Sequence, residues 1–190
     1  MKETRQIQSD FKVDSESRTV EGYAVCFESP SANIGWIETI HKGAITEDTI
    51  KRSDIFAKFN HDDNKILARS KNGEGSLLLE IDDHGLRYMF DAPKTALGDE
   101  LLEYLHRGDL SQSSFAFNID RNDKTAERWY KENGTLYRDI YKIDKLYDVS
   151  PVFNPAYNAT SCSARYAEVK AQSDEIENKM NLIKEEIEKL

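Results

Sequence analysis

The chain has 190 residues, 38% hydrophobic and 32% charged, with a formal net charge of −9: one domain of ordinary size with a modest core, plus an appendage. An acidic surface repels phosphate backbones, which argues against nucleic acid as a partner. The most apolar stretch, near Ser76 to Ile81, falls far short of the roughly 20 residues of a membrane span, and the start, MKETRQIQSDF, has no apolar signal segment.

Residues 5–13 and 17–27 read as two strands. In SRTVEGYAVCF, Val20, Ala24 and Cys26 alternate with Tyr23, Val25 and Phe27, so both faces are expected to be covered, with Gly22 marking a bulge or a close backbone approach. After the loop ESPSANIGW, ITEDTIKR reads as a short helix capped by Thr46. Ile55 to Phe59 reads as a strand ending at Asn60-His61-Asp62. SLLLEI and LRYMFDA flank Asp82-Asp83-His84-Gly85, which spells a hairpin. Thr95 to Arg107 is the clearest helix: Leu97, Leu101 and Leu105 share a face, Thr95 caps the start and Gly108 suits a left-handed end.

Ser113 to Asp120 reads as a strand with Phe115 and Phe117 on one face and Ser114, Ala116 and Asn118 on the other. Asn133-Gly134 predicts a second hairpin, and TLYRDIYKIDKLYDV a strand ended by Ser150-Pro151. In the tail, Ile176, Met180, Ile183, Ile187 and Leu190 form a short coiled-coil seam, which needs a partner because so short a helix is unstable alone. The pattern predicts a mainly β, α+β domain over residues 1–166: a small closed or partly open β-barrel or a sandwich with helices outside, followed by an amphipathic helix over 167–190.

No Cys-x-x-Cys, His-Glu-x-x-His or closely paired histidines occur, so neither a metal nor a cofactor is expected. Two cysteines are too few for a disulfide scaffold and suit a reducing compartment. Cys26 reads as a buried small hydrophobe; Cys162, in TSCSAR, reads as exposed. Neither has a basic cluster to activate it. Among the histidines, His106 suits the last helical turn, His84 sits at a hairpin turn, His41 lies in a loop, and His61 ends a strand among polar residues, where a general base or an ordinary loop residue both fit. Ser114 is either an ordinary strand serine or a nucleophile on a rigid element. Residue types and spacing leave that choice open.

Several segments, in order, resemble one family. They are Gly22-Tyr23-Ala24-Val25-Cys26-Phe27, Lys42-Gly43-Ala44-Ile45, Phe59-Asn60-His61-Asp62, Gly85-Leu86-Arg87-Tyr88, Gly108-Asp109-Leu110-Ser111-Gln112-Ser113-Ser114-Phe115-Ala116-Phe117, Leu146-Tyr147-Asp148-Val149-Ser150-Pro151-Val152 and Pro155-Ala156-Tyr157. Together they resemble the tailed-bacteriophage prohead proteases, the capsid maturation serine proteases related to herpesvirus assemblin, over about residues 5–166. The resemblance implies a β-barrel wrapped by helices, with Ser114 as nucleophile, His61 as general base and Asp148 as the orienting acid. In the herpesvirus relatives a second histidine fills the third role, and no histidine follows His106 here. Ser113 stands where the family shows a bulkier apolar residue; the strand phase set by Phe115 and Phe117 favours Ser114.

The same resemblance implies an endopeptidase acting in the host cytoplasm, inside the assembling procapsid. It would cut scaffolding protein, or the scaffolding segment of the major capsid protein, and itself. Its partners would be those two proteins, with self-association through the C-terminal helix. The alternative is an inactive assembly module of the same fold that binds scaffold or capsid protein. An esterase fits less well, since the Gly-x-Ser-x-Gly elbow is missing.

Overall fold

The structure, a computed structural model, describes residues 2–8, 11–14 and 16–153. Its first strands are β1 (Glu3–Gln8), β2 (Lys12–Asp14) and β3 (Thr19–Cys26), so the single strand expected over residues 5–13 is two. They join different sheets: β1 pairs with the strand that carries Ser114, and β2 pairs with β3. The bulge in β3 falls between Tyr23 and Val25 rather than at Gly22.

Next come β4 (Ile37–Ile40), α1 (Glu47–Lys51), β5 (Asp54–Lys58), β6 (Ile66–Lys71), β7 (Glu74–Gly75), β8 (Leu78–Ile81), β9 (Gly85–Asp91) and α2 (Ala96–Arg107). Both helices start where expected. Thr46 caps α1 in a reciprocal box with Thr49, and Thr95 accepts from the Gly98 N–H at the head of α2. Gly108 ends α2 at φ 74°, a left-handed position that costs glycine little. The hairpin of β8 and β9 also forms as read.

The last strands are β10 (Gln112–Asn118), β11 (Glu127–Glu132), β12 (Thr135–Ile140) and β13 (Lys145–Val152). Asn133 and Gly134 take positive φ between β11 and β12, as the Asn-Gly signal implies. The strand expected over TLYRDIYKIDKLYDV is two, in two sheets, and Pro151 does not end the second. β13 continues through Val152, with Pro151 opposite Ser113 and its carbonyl accepting the Asn60 N–H at 3.0 Å.

Among the described residues three sheets result, ordered β1-β10-β13-β5-β6-β7, β2-β3-β9-β8 and β11-β12-β4. The expectation of a mainly β fold holds. Among the described residues no closed barrel forms: the six-stranded sheet ends in β1 on one side and the two-residue β7 on the other. The tail helix and the boundary near residue 166 lie outside the described residues.

The two larger sheets share one core. Val20, Leu86, Tyr88 and Phe90 of the four-stranded sheet join Phe115, Phe117, Leu146 and Val149 of the six-stranded one, and Leu101, Leu102 and Leu105 of α2 close the cluster. Each such side chain contributes about 1.5–3 kcal/mol on burial. The core therefore fixes β10 and β13 from one face and leaves their other face to hold polar groups in defined positions.

Candidate active site

β10, β13 and β5 lie side by side, and each carries or leads into one polar residue of interest. Within β10 the pleat sends neighbouring serines to opposite faces. Ser113 turns to the core side, where its hydroxyl meets the Tyr88 hydroxyl at 2.7 Å. Ser114 turns the other way. Asp148 sits on β13 opposite Ala116, and Ser150 sits opposite Ser114.

His61 arrives from the turn after β5. The Asp62 N–H bonds the Phe59 carbonyl at 3.1 Å, and both central residues, Asn60 and His61, have positive φ (54° and 60°). Two successive non-glycine residues with positive φ store strain, and asparagine and histidine are among the residues that tolerate it best. The turn is held from outside as well, since the Asn60 N–H bonds Pro151 O. The result is an imidazole pinned over the sheet.

The three side chains meet. His61 Nε2 lies 2.5 Å from Ser114 Oγ, and His61 Nδ1 lies 2.7 Å from Asp148 Oδ1. Asp148 Oδ1 also accepts from Ser150 Oγ at 3.0 Å, and Lys2 Nζ binds Oδ2 at 3.0 Å, with Lys58 Nζ at 3.8 Å. Asp148 has no solvent exposure. Burial by itself would raise its carboxyl pKa; the hydrogen bonds and charges of His61 and Lys2 outweigh that and hold it down at about 2. A ring that donates its Nδ1–H to Asp148 can present Nε2 to Ser114 Oγ as a hydrogen-bond acceptor.

The other sequence candidates lie elsewhere. His41 stacks on Tyr141 at 4.6 Å between Glu28 and Asp139. His84 packs against Tyr23 and Cys26. His106 closes α2. Cys26 is buried in β3, as expected, and is disulfide-bonded; Cys162 lies outside the described residues. Among the described residues no group of three or more His, Cys, Asp or Glu is arranged to hold a metal.

Three contributors were not singled out by the sequence reading: Lys2, Lys58 and Ser150. Lys58 carried a signal, a cation inside the apolar strand IFAKF, where burial demands an anionic partner. Ser150 was also within reach, two residues from Asp148 along a strand and so on the same face. Lys2 had none, because β1 meets β13's residues only through the long-range pairing with β10.

A family model described as Caudovirus prohead serine protease matches residues 4–175. The chain belongs to that family. Comparison with curated proteins finds no match, and neither does comparison with solved structures. Membership in the prohead serine proteases makes the chain a serine protease in general terms and ties it to phage capsid maturation. Among the described residues no helix is long and apolar enough to cross a membrane.

Proposed function

We propose that this prohead serine protease is an endopeptidase in which Ser114 is the nucleophile, His61 the general base and Asp148 the orienting acid. The observation that carries the reading is the pair of contacts at one imidazole, 2.5 Å to Ser114 Oγ and 2.7 Å to Asp148 Oδ1. A serine hydroxyl is a weak nucleophile until a positioned base takes its proton. Ser114 Oγ adds to the scissile carbonyl carbon while its proton passes to His61 Nε2, and Asp148 stabilises the imidazolium. Collapse breaks the carbon–nitrogen bond as Nε2 returns the proton to the leaving amine. Water, deprotonated by His61, then hydrolyses the ester and frees Ser114.

In this reading the substrates are scaffolding protein or the scaffolding segment of the major capsid protein, and the chain itself. The place is the assembling procapsid in the host cytoplasm, and the proposal includes self-association through the heptad-patterned residues 173–190. Family membership supports this setting. Mass spectrometry of the chain co-expressed with its capsid and scaffolding proteins tests it. Wild type should yield new termini in those proteins, and Ser114→Ala should yield none. Identical processing by both would end the proposal.

A further inference from the structure

Ser114 has no exposure to solvent, and β1 lies against it. Gln6 pairs with Ser114 across the strands, and Ser114 Oγ approaches the Arg5 carbonyl oxygen at 2.8 Å. A hydroxyl has one proton to donate. If Arg5 O takes it, the contact to His61 Nε2 must be made by an N–H, so the ring carries both protons and cannot act as a base. The backbone of β1 therefore competes with His61 for the proton that catalysis must move, and it stands where a substrate carbonyl has to come.

The side chains of β1 are held by charge. Arg5 makes a bidentate pair with buried Glu38, Nε to Oε1 and Nη2 to Oε2, both at 2.7 Å. Its guanidinium lies 5.8 Å from the Trp36 ring and 5.6 Å from that of Phe117. Arg138 bridges Glu3, Glu38 and Glu127. Ile7 is the single aliphatic side chain in the strand. If β1 withdraws, Arg138 is left facing Glu38 and Glu127, a surplus of negative charge beside two aromatic rings. That is a pocket for a cation, and a planar guanidinium fits a carboxylate fork and ring faces best.

We propose that β1 is seated in the substrate cleft as a substrate mimic: the edge of β10 beneath it binds an extended peptide whose arginine or lysine meets Glu38 and presents its carbonyl to Ser114. The bond cut is then the one that follows the basic residue, and β1 must leave first. The inference rests on the proposed role of Ser114. Strand addition supplies main-chain affinity, and the Glu38 pocket supplies selectivity.

The test uses the full chain. Arg5→Glu sets a carboxylate against Glu3 and Glu38 and should release β1; Arg5→Gln is the milder variant if circular dichroism shows the first misfolded. Labelling of Ser114 by a fluorophosphonate should be at least about tenfold faster in the variant than in wild type, as the competent fraction rises. A fluorescent peptide of sequence Lys2–Gln8, added in trans to the variant, should bind at least about tenfold more tightly than one with glutamine at position 5. Glu38→Gln in the same background should erase that preference. Labelling of Ser114 that proceeds equally fast in wild type and variant, or equal binding of the two peptides, overturns the inference. Arginine-selective binding without labelling of either protein would instead keep the cleft and overturn the nucleophile; labelling at Ser114 without peptide selectivity does the reverse.

Discussion

β10 has a neighbour on each side, and the two are held in different ways. β13 is buried along nearly its whole length, with Leu146, Val149 and Val152 each at most 1% exposed, and it carries Asp148. β1 is partly exposed, and its Arg5 and Glu3 are held by ion pairs with Glu38 and Arg138. Apolar burial fixes geometry without a specific partner, whereas a largely buried ion pair such as Arg5 with Glu38 can be exchanged for another cation of matching shape. In the proposed account the reacting groups are tied to the rigid neighbour, and access is governed by the exchangeable one.

The sharpest break on the β13 side is chemical. His61→Ala should lower the rate of peptide cleavage by about 10⁵-fold or more, because nucleophile and base act as a unit. His41→Ala should leave it unchanged, since His41 contacts Glu28, Asp139 and Tyr141 instead. Asp148→Asn should cost about 10⁴-fold, as loss of an orienting carboxylate does in other triads. Both follow from steady-state kinetics on a capsid-derived peptide.

Stability separates the neighbours next. Phe115→Ala removes a side chain only 1% exposed and should cost about 3–5 kcal/mol in denaturant unfolding. Arg5→Gln should cost about 1–2 kcal/mol, because Glu38 keeps Arg138 as a partner. Hydrogen exchange sharpens the contrast. Arg5→Gln should speed exchange of amides shared by β1 and β10 and leave those shared by β10 and β13 protected. Uniform acceleration would mean that β1 is as integral to the fold as β13.

Acid gives a smaller effect of known sign. The folded pKa of Asp148 is about 2 against an ordinary 3.8. A depressed carboxylate stabilises the fold above the unfolded value and loses that contribution as pH falls through the folded one. About 2 kcal/mol should therefore disappear between about pH 4 and pH 2, and Asp148→Asn should flatten that part of the curve.

Local signals were legible at helix ends, at one hairpin turn and along one strand face. Thr46, Thr95 and Gly108 mark helix ends, Asn133-Gly134 a turn, and Phe115 and Phe117 a strand face. What failed was long-range. Nothing local says that residues 3–8 and 12–14 join different sheets, since β1 pairs more than a hundred residues along the chain, or that Pro151 lies inside a strand, since it pairs with Ser113, 38 residues earlier. β4 and β6 went unread because IETI and ILARSK are short and mix apolar with polar residues. At the site, resemblance picked out His61, Ser114 and Asp148, and pattern alone could not. The positive φ of His61 is invisible to periodicity, as is the approach of Arg5 to Ser114.

The central claim is that the imidazole of His61 activates the hydroxyl of Ser114. Intact-mass spectrometry after fluorophosphonate treatment, followed by peptide mapping, tests it most directly. The account predicts one adduct, on Ser114, in the wild-type chain, and none in His61→Ala or Ser114→Ala. An adduct that persists in Ser114→Ala, or that maps to Ser113 or Ser150 in the wild type, would contradict it.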